Sequence, residues 1–212
     1  MSYSQTTTFS QDNIVNPQVE IFIPKDFVND LPLYSYGGRI ELVEKDDQVE
    51  MALNELNQFD VLGFDTESRP SFKKGESHPP SLLQLGGDKV TYLFQLQKIE
   101  NVKPIFDFLS SSQHLKAGVA IRDDIKKLKE IADFDESSFV EIADHTQKAN
   151  IVNTGLRNLA GLFLHLRISK GAQVSNWAKS ELTLSQIRYA ATDADVSRKL
   201  FIRIRELGLY SR

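Results

Sequence analysis

The chain has 212 residues, 41% of them hydrophobic and 25% charged, with a formal net charge of −4. That length accommodates one domain with a sizeable core, and the composition is ordinary for a globular protein. Cysteine is absent, which excludes disulfides, thiolate catalysis and cysteine zinc sites, and the negative balance argues against indiscriminate binding of long duplex DNA.

Met1 to Asn13 is polar and lacks the apolar centre of a secretion signal, and no apolar run approaches membrane-spanning length. With the missing cysteines, this sets the expectation of a cytoplasmic protein without a membrane partner. Residues 1–35 read as an extended or partly disordered N-terminal arm. The stretch to Asn16 is rich in Ser, Thr and Gln, and Pro17, Pro24 and Pro32 then favour extended chain. Residues 36–212 read as a single domain. Arg39 to Val43 is a strand, and Val49, Leu53 and Leu56 give Asp47 to Phe59 one apolar helical face. Val61 begins a second strand, and a polar loop runs from Arg69 to Pro80. Ser81 to Leu85 and Val90 to Leu96 form a hairpin around Gly86-Gly87-Asp88.

Farther on, Val102 to Ser111 is a helix, Leu115 to Ile121 a strand and Arg122 to Ile131 a charged helix. Phe139 to Ile142 is a strand, and Gly155 to Leu166 a helix. Thr183 and Gln186 make a capping box that starts a final helix reaching about Leu207. Strands come first and then alternate with helices, the pattern of an α/β domain with a mixed sheet covered by helices.

Val61-Leu62-Gly63-Phe64-Asp65-Thr66-Glu67 is the informative stretch. A strand alternates its faces, so Asp65 and Glu67 point to the same side. Two carboxylates at the mouth of an apolar strand repel each other and lose solvation unless a cation neutralises them. Hard divalent cations such as Mg2+ or Mn2+ suit such oxygen ligands. The competing reading is that Asp65 merely starts a solvated loop. In the final helix, Tyr189 and Asp193 are four apart and share a face, with Ala190 and Ala191 leaving room for close approach. Within Lys116 to Ile125 a strand delivers Asp123 and Asp124 to a helix start, where an aspartate also serves to stabilise the helix dipole.

Together these stretches resemble the three motifs of the DEDD superfamily of 3′–5′ exonucleases. The matching residues are Asp65-Thr66-Glu67, Gly118 through Asp124 to Leu128, and Tyr189 with Asp193. The tyrosine places the chain in the DEDDy subclass; the position a histidine occupies in the sister subclass is Arg188 here. Pro80 to Leu85, Ser175-Asn176-Trp177 and Leu182-Thr183 add a likeness to the Werner-type exonuclease domain. The resemblance implies a ribonuclease-H-like three-layer α/β fold, with a mixed central β-sheet flanked by helices. It implies Asp65, Glu67, Asp124, Tyr189 and Asp193 as catalytic residues, with the four acids holding two divalent metal ions, Mg2+ or Mn2+. Asp65 would bridge the ions, Glu67 and Asp193 would hold the one that activates water, and Tyr189 would orient that water.

The partner would be nucleic acid with a free 3′ end. The Werner-type likeness favours DNA and a DNA-repair setting over RNA processing. Arg122, Arg157, Lys170 and Trp177 are candidates for touching the strand, and Lys73, Lys74, Lys126, Lys127 and Lys129 for a phosphate-guiding rim. Leu85 and Phe94 read as core, and Asp144 as a helix cap. A haloacid-dehalogenase-type phosphatase leaves the tyrosine helix unexplained. A non-catalytic nucleic-acid-binding module would not require so many mutually repelling acids.

Overall fold

The computed structural model describes residues 20–71, 73 and 75–210. The Ser/Thr/Gln-rich stretch expected to be a loose arm, and Lys74 of the expected rim, lie outside these residues. The described chain runs α1 (Lys25–Asp30), β1 (Leu33–Tyr34), β2 (Arg39–Val43), α2 (Asp46–Leu56), β3 (Val61–Ser68), β4 (Pro80–Gly86) and β5 (Val90–Gln95). It continues through α3 (Lys103–Ser110), β6 (Leu115–Gly118), α4 (Arg122–Lys129), β7 (Phe139–Glu141), α5 (Ile142–Lys148), α6 (Leu156–Leu164), β8 (Arg167–Ile168) and α7 (Leu184–Glu206).

Six strands form one mixed sheet in the order β2-β5-β4-β3-β6-β7, in which β4 alone runs against the others. β1 and β8 make a separate parallel pair. Alternation along β3 assigns each residue a layer. Leu62 and Phe64 join the core beneath α2, α3 and α4. Val61 joins the opposite core, built from α1, α6 and α7. Gly63, Asp65 and Glu67 share the Val61 face, so both carboxylates lie on the side that α7 covers. This is the three-layer α/β arrangement expected. No described helix is long and apolar enough to cross a membrane.

α7 lies unusually close to the sheet. Gly63 of β3 is paired with Gly86 of β4, and both lie under Ala194. A Cβ on Gly63 would stand 1.8 Å from the Ala194 carbonyl oxygen, so only glycine permits this approach. The helix presents Ala190, Ala191 and Ala194 here, all fully buried. Its start is the expected capping box: Thr183 Oγ1 accepts the Gln186 N–H at 3.2 Å, and Gln186 Oε1 accepts the Thr183 N–H at 3.1 Å. Gln186 Nε2 also donates to the Asn176 carbonyl at 3.2 Å, tying the preceding loop to the helix.

Four local expectations need correction. Lys25–Asp30 is a helix rather than extended chain, with Pro24 as its N-cap, a position where a proline's missing N–H costs nothing. The strand expected to reach Ile121 stops at Gly118. The Glu141 carboxylate accepts the N–H groups of Ala120 and Ile121, both at 2.8 Å, and holds Ala120 at a φ of 62°. Ile142–Lys148 is helical, so Asp144 lies inside α5 while Glu141 caps it. Finally, α6 ends at Leu164, and Arg167–Ile168 is the strand that pairs with β1.

Candidate active site

β3 and α7 bring three acids together. The carboxylates of Asp65, Glu67 and Asp193 each offer an oxygen, and these oxygens lie within 4.8 Å of one another. Asp124 joins from the first turn of α4, where its Oδ1 accepts the Thr66 hydroxyl at 2.5 Å. Asp123 is exposed, whereas Asp124 is half-buried and lines the same cleft of about 390 Å³ as the other acids. The strained turn at Ala120 sets that register, because it aims the first turn of α4 at the cleft. Tyr189 lies one turn before Asp193 on α7 and lines the cleft with it.

Burial acts on every acid of the group, and repulsion between its members adds to it at Asp65 and Glu67. Burial, with the Asp193 and Asp124 charges, pushes Asp65 well above the carboxylate range, against the Thr66 N–H that stabilises its anion at 2.9 Å. Burial, then Asp65, Asp193 and Asp124, push Glu67 up to about 10. Burial lifts Asp193 to about 7, opposed by the Tyr189 hydroxyl. Asp124 is raised by burial, opposed chiefly by the Thr66 hydroxyl. Among the described residues none of these acids has an ion pair to Lys, Arg or His. Crowded hard oxygen donors that make no ion pair among the described residues are a donor set that fits a divalent metal ion. Burial, Asp193 and Glu67 also raise the Tyr189 phenol, so it stays protonated and can donate a hydrogen bond.

The candidate strand contacts divide. Arg157 and Lys170 line the cleft. Arg157 is steadied by a 2.6 Å hydrogen bond to Asn29 Oδ1 of α1. Arg122 does not line the cleft: its guanidinium is paired with Asp144 over a neighbouring groove. Trp177 is 1% exposed, packed with Leu82, Leu93, Ala172 and Ala190, so it cannot reach a strand. Its ring lies 6.0 Å from that of Tyr189 and backs it instead. Lys73, Lys126 and Lys127 do not line the cleft either, and Lys129 pairs with Glu136. Leu85 and Phe94 are core residues. Sequence reasoning missed the polar side chains of Thr66, Asn158, Ser169 and Gln173, which also line the cleft. Of these only Thr66, between the two acids, stood in a recognisable motif.

A profile of the family described as 3'-5' exonuclease matches residues 40–208. The chain belongs to the 3′–5′ exonuclease family. Within this exonuclease family it is 32% identical over 161 residues to the bifunctional 3'-5' exonuclease/ATP-dependent helicase WRN of Mus musculus. That alignment takes in 72% of the chain but only 11% of the mouse protein, so the two share one domain. The exonuclease fold is also that of the Aedes aegypti Nibbler EXO domain, with a TM-score of 0.74 and 21% identity over 82% of this chain and 92% of that one. Escherichia coli RNase D, an exoribonuclease involved in structured RNA processing, matches at a TM-score of 0.71 and 16% identity, over 80% of this chain and 46% of that one. These likenesses place the exonuclease domain in the ribonuclease-H-like fold.

Proposed function

We propose that the chain is a two-metal-ion 3′–5′ exonuclease that removes nucleoside 5′-monophosphates from the 3′ end of nucleic acid, with DNA the favoured substrate. The carrying observation is the crowding of the Asp65, Glu67 and Asp193 carboxylates, with Asp124 opposite and a protonated Tyr189 beside them. Asp65, Glu67 and Asp193 would hold one divalent ion, and Asp65 with Asp124 the second. When bound, such a pair supplies a nucleophilic hydroxide at neutral pH and neutralises the leaving 3′-oxygen.

The protein's own groups do the positioning. Tyr189 orients the attacking water through its hydroxyl oxygen and keeps its own proton, since its raised pKa makes it a poor base. Arg157 and Lys170, which line the same cleft as the acids, hold the phosphates of the incoming strand. Thr66 steadies the Asp124 carboxylate, so its reach does not depend on a free rotamer. The preference for DNA rests on the likeness to the Werner-type exonuclease domain. Matched DNA and RNA oligonucleotides with free 3′ ends, assayed with Mg2+ and with Mn2+, test it. Faster removal of ribonucleotides than of deoxyribonucleotides would assign an exoribonuclease instead.

A further inference from the structure

α7 is pressed onto the sheet through alanines and glycines, with Arg198 Nε donating to the Val61 carbonyl of β3 at 3.2 Å. Its other flank carries further directional bonds that end on the N-terminal segment. Thr192 Oγ1 accepts the Tyr36 N–H at 3.0 Å while donating to the Arg188 carbonyl at 2.6 Å. Asp195 Oδ2 accepts the Tyr34 hydroxyl at 2.7 Å and the Lys199 ammonium at 2.8 Å. Lys199 also donates to the Tyr34 hydroxyl at 2.6 Å and lies 4.6 Å from the centre of that ring.

The anchors stand one residue before Asp193 and two after it. Asp195 is only 1% exposed, and its Oδ1 has no hydrogen-bond partner among the described residues. Burying a carboxylate with one oxygen unsatisfied is a poor way to add stability, which apolar packing supplies more readily. A directional bond to such a group does fix where the helix sits. The segment is held in turn from behind: Leu33 and Tyr34 pair with Arg167 and Ile168, and the Pro32 carbonyl accepts the Arg167 N–H at 2.9 Å. All of it precedes residue 40, where the match to the exonuclease family begins.

We infer that residues 32–36 are a strap whose contacts at Thr192 and Asp195 position Asp193 and Tyr189 for metal and water. Tyr34 and Thr192 are thus positioning residues of the exonuclease site, an assignment that rests on the function proposed above. The strap works as an outer jaw, with the Gly63–Gly86 pair as the inner one. Groups that orient metal ligands from behind are worth on the order of 10–100-fold in metal affinity or activity.

The test uses the full chain, with Tyr34→Phe and Thr192→Val as variants that keep shape and remove one hydrogen-bonding group each. Mn2+ binding is measured by calorimetry, and kcat and KM on an oligonucleotide with a free 3′ end. Leu109→Ala serves as control, because Leu109 is fully buried in the core beneath α3, across the sheet from α7. Each strap variant is expected to lose roughly tenfold in Mn2+ affinity and in kcat, with KM for the oligonucleotide within about twofold of wild type. The control should lose melting temperature while keeping wild-type Mn2+ affinity. Strap variants that melt earlier but bind Mn2+ and turn over like wild type would overturn the strap alone. A wild-type chain that neither binds Mn2+ nor shortens the oligonucleotide would overturn the exonuclease reading itself.

Discussion

Gly63→Ala places the heaviest demand on the site for the smallest change in chemistry. The added methyl would lie 1.8 Å from the Ala194 carbonyl oxygen and 2.9 Å from the Arg198 amide nitrogen. Both are backbone atoms, so no rotamer change relieves the clash, and helix and sheet must part by about 1 Å. Overpacking of this kind costs about 1–3 kcal/mol, a fraction of the ~5–15 kcal/mol that stabilises a typical domain. The folded variant should therefore be obtainable. Its active site should not survive as well, because Ala194 adjoins Asp193 while Asp65 and Glu67 follow Gly63 on the strand. A displacement of about 1 Å costs on the order of 100-fold in rate. Gly86→Ala is the graded partner, since its methyl would meet the Ala194 carbonyl carbon at 3.2 Å and the Ala194 methyl at 3.3 Å. It should slow turnover far less. Wild-type kcat in a folded Gly63→Ala protein, confirmed by melting and metal binding, would refute the claim that α7's depth sets the site.

Three other outcomes follow from the same geometry. Asp124→Asn should abolish most cleavage and weaken metal binding at little cost in folding, whereas exposed Asp123→Asn should be mild; the two rates decide it, and swapped phenotypes would place the second motif one residue away. Tyr189→Phe should keep the fold and metal affinity but lower kcat by ~10²–10⁴-fold, because only the hydroxyl that orients water is lost; wild-type turnover would remove Tyr189 from the mechanism. Asp193, lifted to about 7 in the folded protein, binds protons there that the unfolded chain has released. Its contribution to stability is complete below about pH 4, the unfolded value, and is lost as pH rises through 7. Metal-free wild type should thus lose melting temperature relative to Asp193→Asn between pH 5 and pH 8, and Mn2+ should restore it; a constant difference across that range would contradict the burial of an uncompensated acid.

The parts of this protein that sequence shows are those where chemistry and periodicity coincide. Asp65 and Glu67 are legible because strand alternation places them on one face, and Tyr189 and Asp193 because helical spacing does the same. The choice of Asp124 over Asp123 comes from the resemblance, since Asp124, Ile125 and Leu128 match the family's second motif, and Leu128 is fully buried in the structure. Trp177 misleads because an indole in a polar loop reads as a candidate for touching the strand, and only the packing of Leu82, Leu93 and Ala190 shows it is core. Arg122 misleads because its direction depends on α5, which follows β7 without any intervening turn residue. The strap is invisible for a different reason. Its bonds join residues 156 and 161 positions apart, and no local pattern in either segment announces the other.

The central claim is a metal-dependent reaction that starts at a 3′ terminus, and one gel tests it. A 5′-labelled DNA oligonucleotide is incubated with the protein and Mg2+ or Mn2+, alongside an excess of chelator and an Asp65→Asn variant. The label should run on a ladder that shortens one nucleotide at a time, with nucleoside 5′-monophosphates as the product and no ladder in either control. Release of the label as a mononucleotide at the first time point, or a ladder that persists in chelator, would contradict the account.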